Sequence, residues 1–185
     1  TSRVNAWSCV QQSPLHKLGK EEKMFSGMDA FIFVHTVISL AAILAGVVVV
    51  YGLLVSKSLE NWTILYFVLI GATSLTGFGL PADRLLPSHV VGIISLLLLV
   101  VALVARYGFR LVGAWRWAFV GGIVSTLWFD VFVAIVQAFQ KVPALHALAP
   151  TQSEPPFAIV QIATLVGFIA IGIAAGFRFR RAAPA

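Results

Sequence analysis

This sequence predicts an all-α integral membrane bundle of about five transmembrane helices, and three observations predict it. Apolar residues fill 59% of 185 positions and charged residues only 11%, against roughly half and a quarter in soluble domains. The mean hydropathy is +0.96. The apolar residues stand in continuous blocks of about twenty, the length a helix needs to cross roughly 30 Å of hydrocarbon. Barrel strands would alternate and run about ten residues.

The elements follow in order. Residues 1–28 form a polar N-terminal tail, and residues 29–181 the transmembrane bundle, with 182–185 a short C-terminal tail. The first span covers Asp29 to Leu54 and ends at Ser56-Lys57. The second runs from Trp62 to Leu80 and stops at Pro81, which cannot continue the helix hydrogen bonds. The third covers Ser88 to Ala105, closed by Arg106, Tyr107 and Gly108. The fourth starts at Trp115-Arg116-Trp117 and runs to about Phe139. A loop with four prolines follows, QKVPALHALAPTQSEPP. Ser153 just ahead of Pro155 and Pro156 marks a helix start with proline in its first turn. The fifth span is Phe157 to Phe177, meeting Arg178, Arg180 and Arg181.

Lys and Arg in short flanks set orientation. Five spans put the C-terminus on the side of Lys57, Arg106, Arg110, Arg116, Arg178, Arg180 and Arg181, which is seven. The other side's loops carry two, Arg84 and Lys141, and the tail would add four: Arg3, Lys17, Lys20 and Lys23. Lys20-Glu21-Glu22 can be encoded as a strong bacterial ribosome-binding sequence ahead of Met24. We therefore expect translation to start at Met24, which leaves seven against two and a cytoplasmic C-terminus in a bacterial inner membrane. Peptides from residues 1–23 in natively expressed protein would overturn this.

The net charge of +6 does not imply a nucleic-acid partner, because the basic residues sit in short loops and at the C-terminus, where topology and anionic headgroups account for them. The single cysteine, Cys9, excludes an intrachain disulfide. No apolar segment precedes it, so neither a lipoprotein site nor a signal peptide is expected.

Each span carries a stripe of small or polar residues at helical spacing. The stripes read His35, Ser39, Ala42, Gly46; Tyr66, Thr73, Thr76, Gly77; Ser88, Gly92, Ser95, Ala102; Gly122, Thr126, Asp130, Ala134, Gln137; and Gln161, Thr164, Gly172, Gly176. Small residues let membrane helices approach and polar ones turn from lipid, so the stripes should face one interior. Asp130 is the one acidic residue deep in a span, at a cost of about 3 kcal/mol. It lies about 15 Å, and His35 about 9 Å, from the non-cytoplasmic ends of their spans. His35, His89, Thr73, Thr76, Gln137 and Gln161 share that half, while residues 43–55 and 96–105 are nearly bare of polar groups. The pattern predicts a periplasm-facing polar pocket around Asp130, His35 and His89 above an apolar plug. Its leading use is to bind or pass a small ligand or a proton; a carboxylate merely capped by neighbouring helices is the plainer reading.

Two histidines on different helices can ligate haem b, so His35 and His89 define an alternative electron-transfer subunit. A third reading is an accessory subunit packed against a larger membrane complex, with another membrane protein or a second copy as its partner. His16 and His146 have no metal-ligand spacing, and no metal site is expected. Gly172 and Gly176 suit close helix packing within the monomer. Trp62, Tyr107, Trp115 and Trp117 read as interfacial anchors. No nucleophile triad, metalloprotease motif, phosphate loop or acidic pair is present, so an enzyme is not expected.

The stretches PALHALAPTQSEPPF, TSLTGFGLP and LPSHVVGIISL resemble small multi-pass inner-membrane proteins of Gram-negative bacteria that have no assigned activity. The resemblance covers residues 25–180 and implies an inner-membrane helical bundle. It transfers no functional residue.

Overall fold

The computed structural model describes residues 14–79 and 87–179, with side chains from Asp29 onward and, in the second stretch, from His89. The helices are α1 (Pro14–Leu54), α2 (Glu60–Gly77), α3 (Pro87–Leu103), α4 (Trp115–Lys141), α5 (Pro143–Leu148) and α6 (Pro155–Arg178), with a π-helical turn, Val104–Gly108, after α3. No strand occurs among the described residues. The predicted all-α bundle is the observed one.

Four helices are long and apolar enough to cross a membrane: Asp29–Leu54 within α1, His89–Gly108, α4 and α6. The second predicted span is also a helix, but α2 is not among these four; its 18 described residues open with Glu60-Asn61 and close at Gly77. Its predicted end, Leu80-Pro81, lies outside the described residues. Two further differences concern flanks. The tail is helical from Pro14, running into the span without a break, while residues 1–13 lie outside the described residues. The proline-rich loop contains α5, started by Pro143 in its first turn. A proline there has no N–H to lose.

The chain divides into two units between Val37 and Ile38. In the first, Phe33, Val34 and Val37 are exposed, and Thr36 turns its hydroxyl back onto Ile32 O at 2.8 Å, which spares it an unpaired donor in lipid.

The second unit is organised around α4. Phe119, Val120, Ile123, Val124 and Leu127 are buried, and Trp117 is its one exposed large apolar side chain. The other long helices expose rows of large apolar residues, such as Leu44 and Val47 on α1, Leu97 and Val100 on α3, and Ile162, Val166 and Ile169 on α6. In water such rows would be a liability; against acyl chains they are the required surface. The glycines of the predicted stripes lie on packing faces. A Cβ on Gly46 would stand 2.7 Å from both Leu127 Cδ1 and Tyr66 Cε2, and one on Gly122 would stand 2.9 Å from Ala102 Cβ and 3.1 Å from Leu98 O. Gly172 meets Val124 and Gly176 lies directly under the Trp117 indole, so this glycine pair serves packing of α6 on α4 within the chain.

Five helix ends meet at one end of this unit. Arg106, in the π-helical turn, donates to Glu60 at the start of α2 and to Ser58 Oγ at 3.2 Å. Its guanidinium lies 5.3 Å from the ring centroid of Phe119, near the start of α4. Arg116 Nη1 donates to Phe179 O at 3.0 Å, and the Ser56 hydroxyl donates to Arg178 O. Lys57, Arg106, Arg116 and Arg178 thus gather at the same end, while Lys141 closes α4 at the other. Ser56 sits there in the left-handed region (φ 56°), with Lys57 N on Gly52 O at 2.8 Å and Ser56 N on Leu53 O at 3.3 Å. That pair of bonds is a Schellman cap, which satisfies the last carbonyls of α1.

Candidate functional site

The polar stripe of α4 becomes a seam against α2. Both helices start at the Arg106 end, so residues equally far along each lie at similar depth. Thr126 donates its hydroxyl proton to Gly122 O at 2.8 Å. The Tyr66 phenol lies 2.9 Å from Thr126 Oγ1, a hydrogen bond that either hydroxyl can donate, and it also donates to Ile123 O at 3.3 Å. Tyr66 is fully buried and so is satisfied across the helix pair. One turn beyond Thr126 comes Asp130, about 6 Å further from the Arg106 end. Its Oδ2 is buried with no hydrogen-bond partner. Thr73, two turns beyond Tyr66 on the same α2 face, also has a buried, unpartnered hydroxyl.

A second polar pair lies where α6 meets α4. Gln161 Nε2 donates to Phe132 O at 3.3 Å, yet its Oε1 is buried without a donor, as Trp128 Nε1 is without an acceptor. Trp128 and Phe132 are themselves in ring contact, centroids 5.7 Å apart, so both groups belong to one neighbourhood. Buried polar atoms left unpaired cost about 1–3 kcal/mol each, and four of them fall at the depth of residues 128–133.

Packing changes at that depth too. Most of the buried apolar cluster, including Val49, Leu53, Leu99, Ala102, Phe119 and Ile123, occupies the half nearer Arg106. From Trp128 to Ala138 no residue of α4 is fully buried. A dry, close-packed half therefore adjoins a looser half that holds the unpaired groups.

The other predicted site residues have local settings of their own. Thr76 donates to Ala72 O at 2.7 Å, a local bond within α2. Gln137, on the Asp130 face of α4, is exposed. His89, near the start of α3, stacks face to face on Phe78 with centroids 5.7 Å apart and planes 8° apart. His35 belongs to the other unit, where it is half-buried. No group of three or more His, Cys, Asp or Glu able to hold a metal ion occurs among the described residues.

Sequence reasoning missed two things. Arg106 counted there only as a topology charge, whereas it is buried and bonded to Glu60 and Ser58. Trp128 has no place in the sequence reading, yet Trp-x-Asp near mid-span is a readable sign of unmet polar demand. Compared with known proteins, the chain matches no protein-family model, no curated protein and no solved structure.

Proposed function

We propose that this is a bacterial inner-membrane protein that binds or passes a small polar ligand or a proton at Asp130, reached from the end of the bundle opposite Arg106. The observation that carries the reading is the pair of buried, unpartnered oxygens, Asp130 Oδ2 and Thr73 Oγ1, on the two helix faces that Tyr66 and Thr126 join. In hydrocarbon such a carboxylate is expensive and tends to mark a path or site for ions or protons. An acceptor-rich seam suits a donor: a proton, an ammonium group or a hydroxylated solute. The close-packed apolar half near Arg106 supports access from the other end. The gathering of Lys57, Arg106, Arg116 and Arg178 at one end supports a cytoplasmic C-terminus by the positive-inside rule.

The test is infrared difference spectroscopy between acidic and neutral pH on the protein in lipid vesicles. A carboxylic-acid C=O band that vanishes in Asp130→Asn is expected, together with a pH-dependent dye response of loaded vesicles that the variant loses. Spectra and vesicle responses identical in the two proteins would sink the proposal. For orientation, a green fluorescent protein fused at the C-terminus should fluoresce and an alkaline phosphatase fused there should stay inactive.

A further inference from the structure

Lys57, Arg116 and Arg178 are drawn into one corner of the basic end by two backbone carbonyls. Ser56, next to Lys57, donates to Arg178 O, and Arg116 donates to Phe179 O at 3.0 Å. Like charges gathered in this way repel, and no carboxylate among the described residues offsets them. Glu60, the described carboxylate at that end, is bonded to Arg106 and Tyr107. No carboxylate pairs with Lys57, Arg116 or Arg178 among the described residues. Lys57 and Arg178 are exposed, and Arg180 and Arg181 follow in the sequence.

The corner also has an apolar floor. The Arg116 guanidinium lies 5.7 Å from the Trp117 ring centroid, and Trp117 packs edge to face on Phe177 at 5.2 Å. Phe177 and Ile173 continue along the outside of α6 at 66% and 52% exposure. Cations at a helix end, an indole at the interface and an apolar track leading inward match the shape of one molecule: a phosphate with acyl chains beneath it. We propose that this corner seats the headgroup of an anionic phospholipid, its chains lying along Ile173 and Phe177. The proposal is independent of the Asp130 reading.

The test is native mass spectrometry of the full chain released from neutral detergent containing equal amounts of phosphatidylglycerol and phosphatidylcholine. Wild type should retain phosphatidylglycerol preferentially. The Lys57→Gln/Arg178→Gln double variant should lose that preference by about 30-fold, from the weight each basic side chain carries near an anionic surface. Circular dichroism checks that the variant stays helical; if it does not, Lys57→Gln alone should lose about fivefold by the same reckoning. Equal retention of both lipids by wild type, or unchanged preference in a folded variant, would overturn the proposal. Inorganic phosphate displacing phosphatidylglycerol as well as an anionic lipid does would also overturn it, in favour of a free-anion site.

Discussion

The Tyr66 phenol and the Thr126 hydroxyl share a hydrogen bond at 2.9 Å, one helical turn before Asp130, and this bond marks where the close-packed half of α4 ends. Tyr66→Phe keeps the ring against Gly46 and removes only the hydroxyl. Thr126 still donates to Gly122 O, so no new unpaired donor appears. A loss of about 0.6–1.7 kcal/mol is expected, the range of single hydrogen bonds between membrane helices, measured by unfolding in mixed micelles. A loss several times larger would mean that the hydroxyl organises more than its bonds to Thr126 and to Ile123 O.

Packing of α6 on α4 depends on Gly176 having no side chain. A Cβ there would overlap the Trp117 indole, whereas one on Gly167, in the same helix, would meet nothing within 4 Å. Gly176→Ala should therefore cost about 1–3 kcal/mol by overpacking. Gly167→Ala should be neutral or slightly stabilising, since alanine is the better helix former. Equal effects of the two, by thermal unfolding in detergent, would contradict this placement of α6.

These contrasts show which parts of the molecule the sequence disclosed. Helix positions follow from unbroken apolar runs, because hydrocarbon enforces helices of a set length, and the small-residue stripes located the faces on which Gly46, Gly122 and Gly176 pack. What could not be read was partner choice. Glycine spacing marks a close approach without saying that Trp117 is the neighbour. Arg106 looks like any interfacial cation until the π-helical turn directs it onto Glu60 and Phe119. The start of α2 was not legible either, because Glu60-Asn61 belongs to the helix and not to the loop before it. Gln137 shares the helical spacing of Asp130 yet is exposed, because spacing along one helix does not report how closely its neighbours pack.

Removal of either partner of the Arg106–Glu60 pair should have unequal effects. The Arg106 side chain is 7% exposed and Glu60 51%. Glu60→Ala strands a buried cation, a change that costs about 3–5 kcal/mol when burial is complete. Arg106→Met leaves a carboxylate that water can solvate, and should cost less, about 1 kcal/mol. Thermal unfolding of the two variants checks the order; a reversal would mean that Glu60 is the buried member.

The same pair sets a pH dependence. The hydrogen bond from Arg106 holds the Glu60 carboxyl below its ordinary value, partial burial acting against it. The folded value lies under the unfolded one, so the stabilisation is complete above the usual Glu range near 4.3 and drains away as pH falls through that range toward the folded value. Wild type should lose stability over that acid window by more than Glu60→Gln does. Because Glu60 is half exposed, the difference should stay below about 1 kcal/mol. Parallel pH curves for the two proteins would remove the ion pair from the account.

Asp130 separates a functional carboxylate from a structural one by the sign of a single stability change. A structural Asp130 would be held by donors, and Asp130→Asn would break those bonds and destabilise. Here Oδ2 has no donor and is buried, so the carboxylate is a cost that the bundle carries. Asp130→Asn removes the ionisable group and keeps the volume. Unfolding in lipid micelles at neutral pH should show a gain of about 1–3 kcal/mol, the scale on which a charge near mid-membrane is penalised, together with loss of the acid-dependent infrared band. Sites that bind or pass a ligand commonly trade stability for activity in this way. A destabilised Asp130→Asn would instead make Asp130 a brace between α2 and α4.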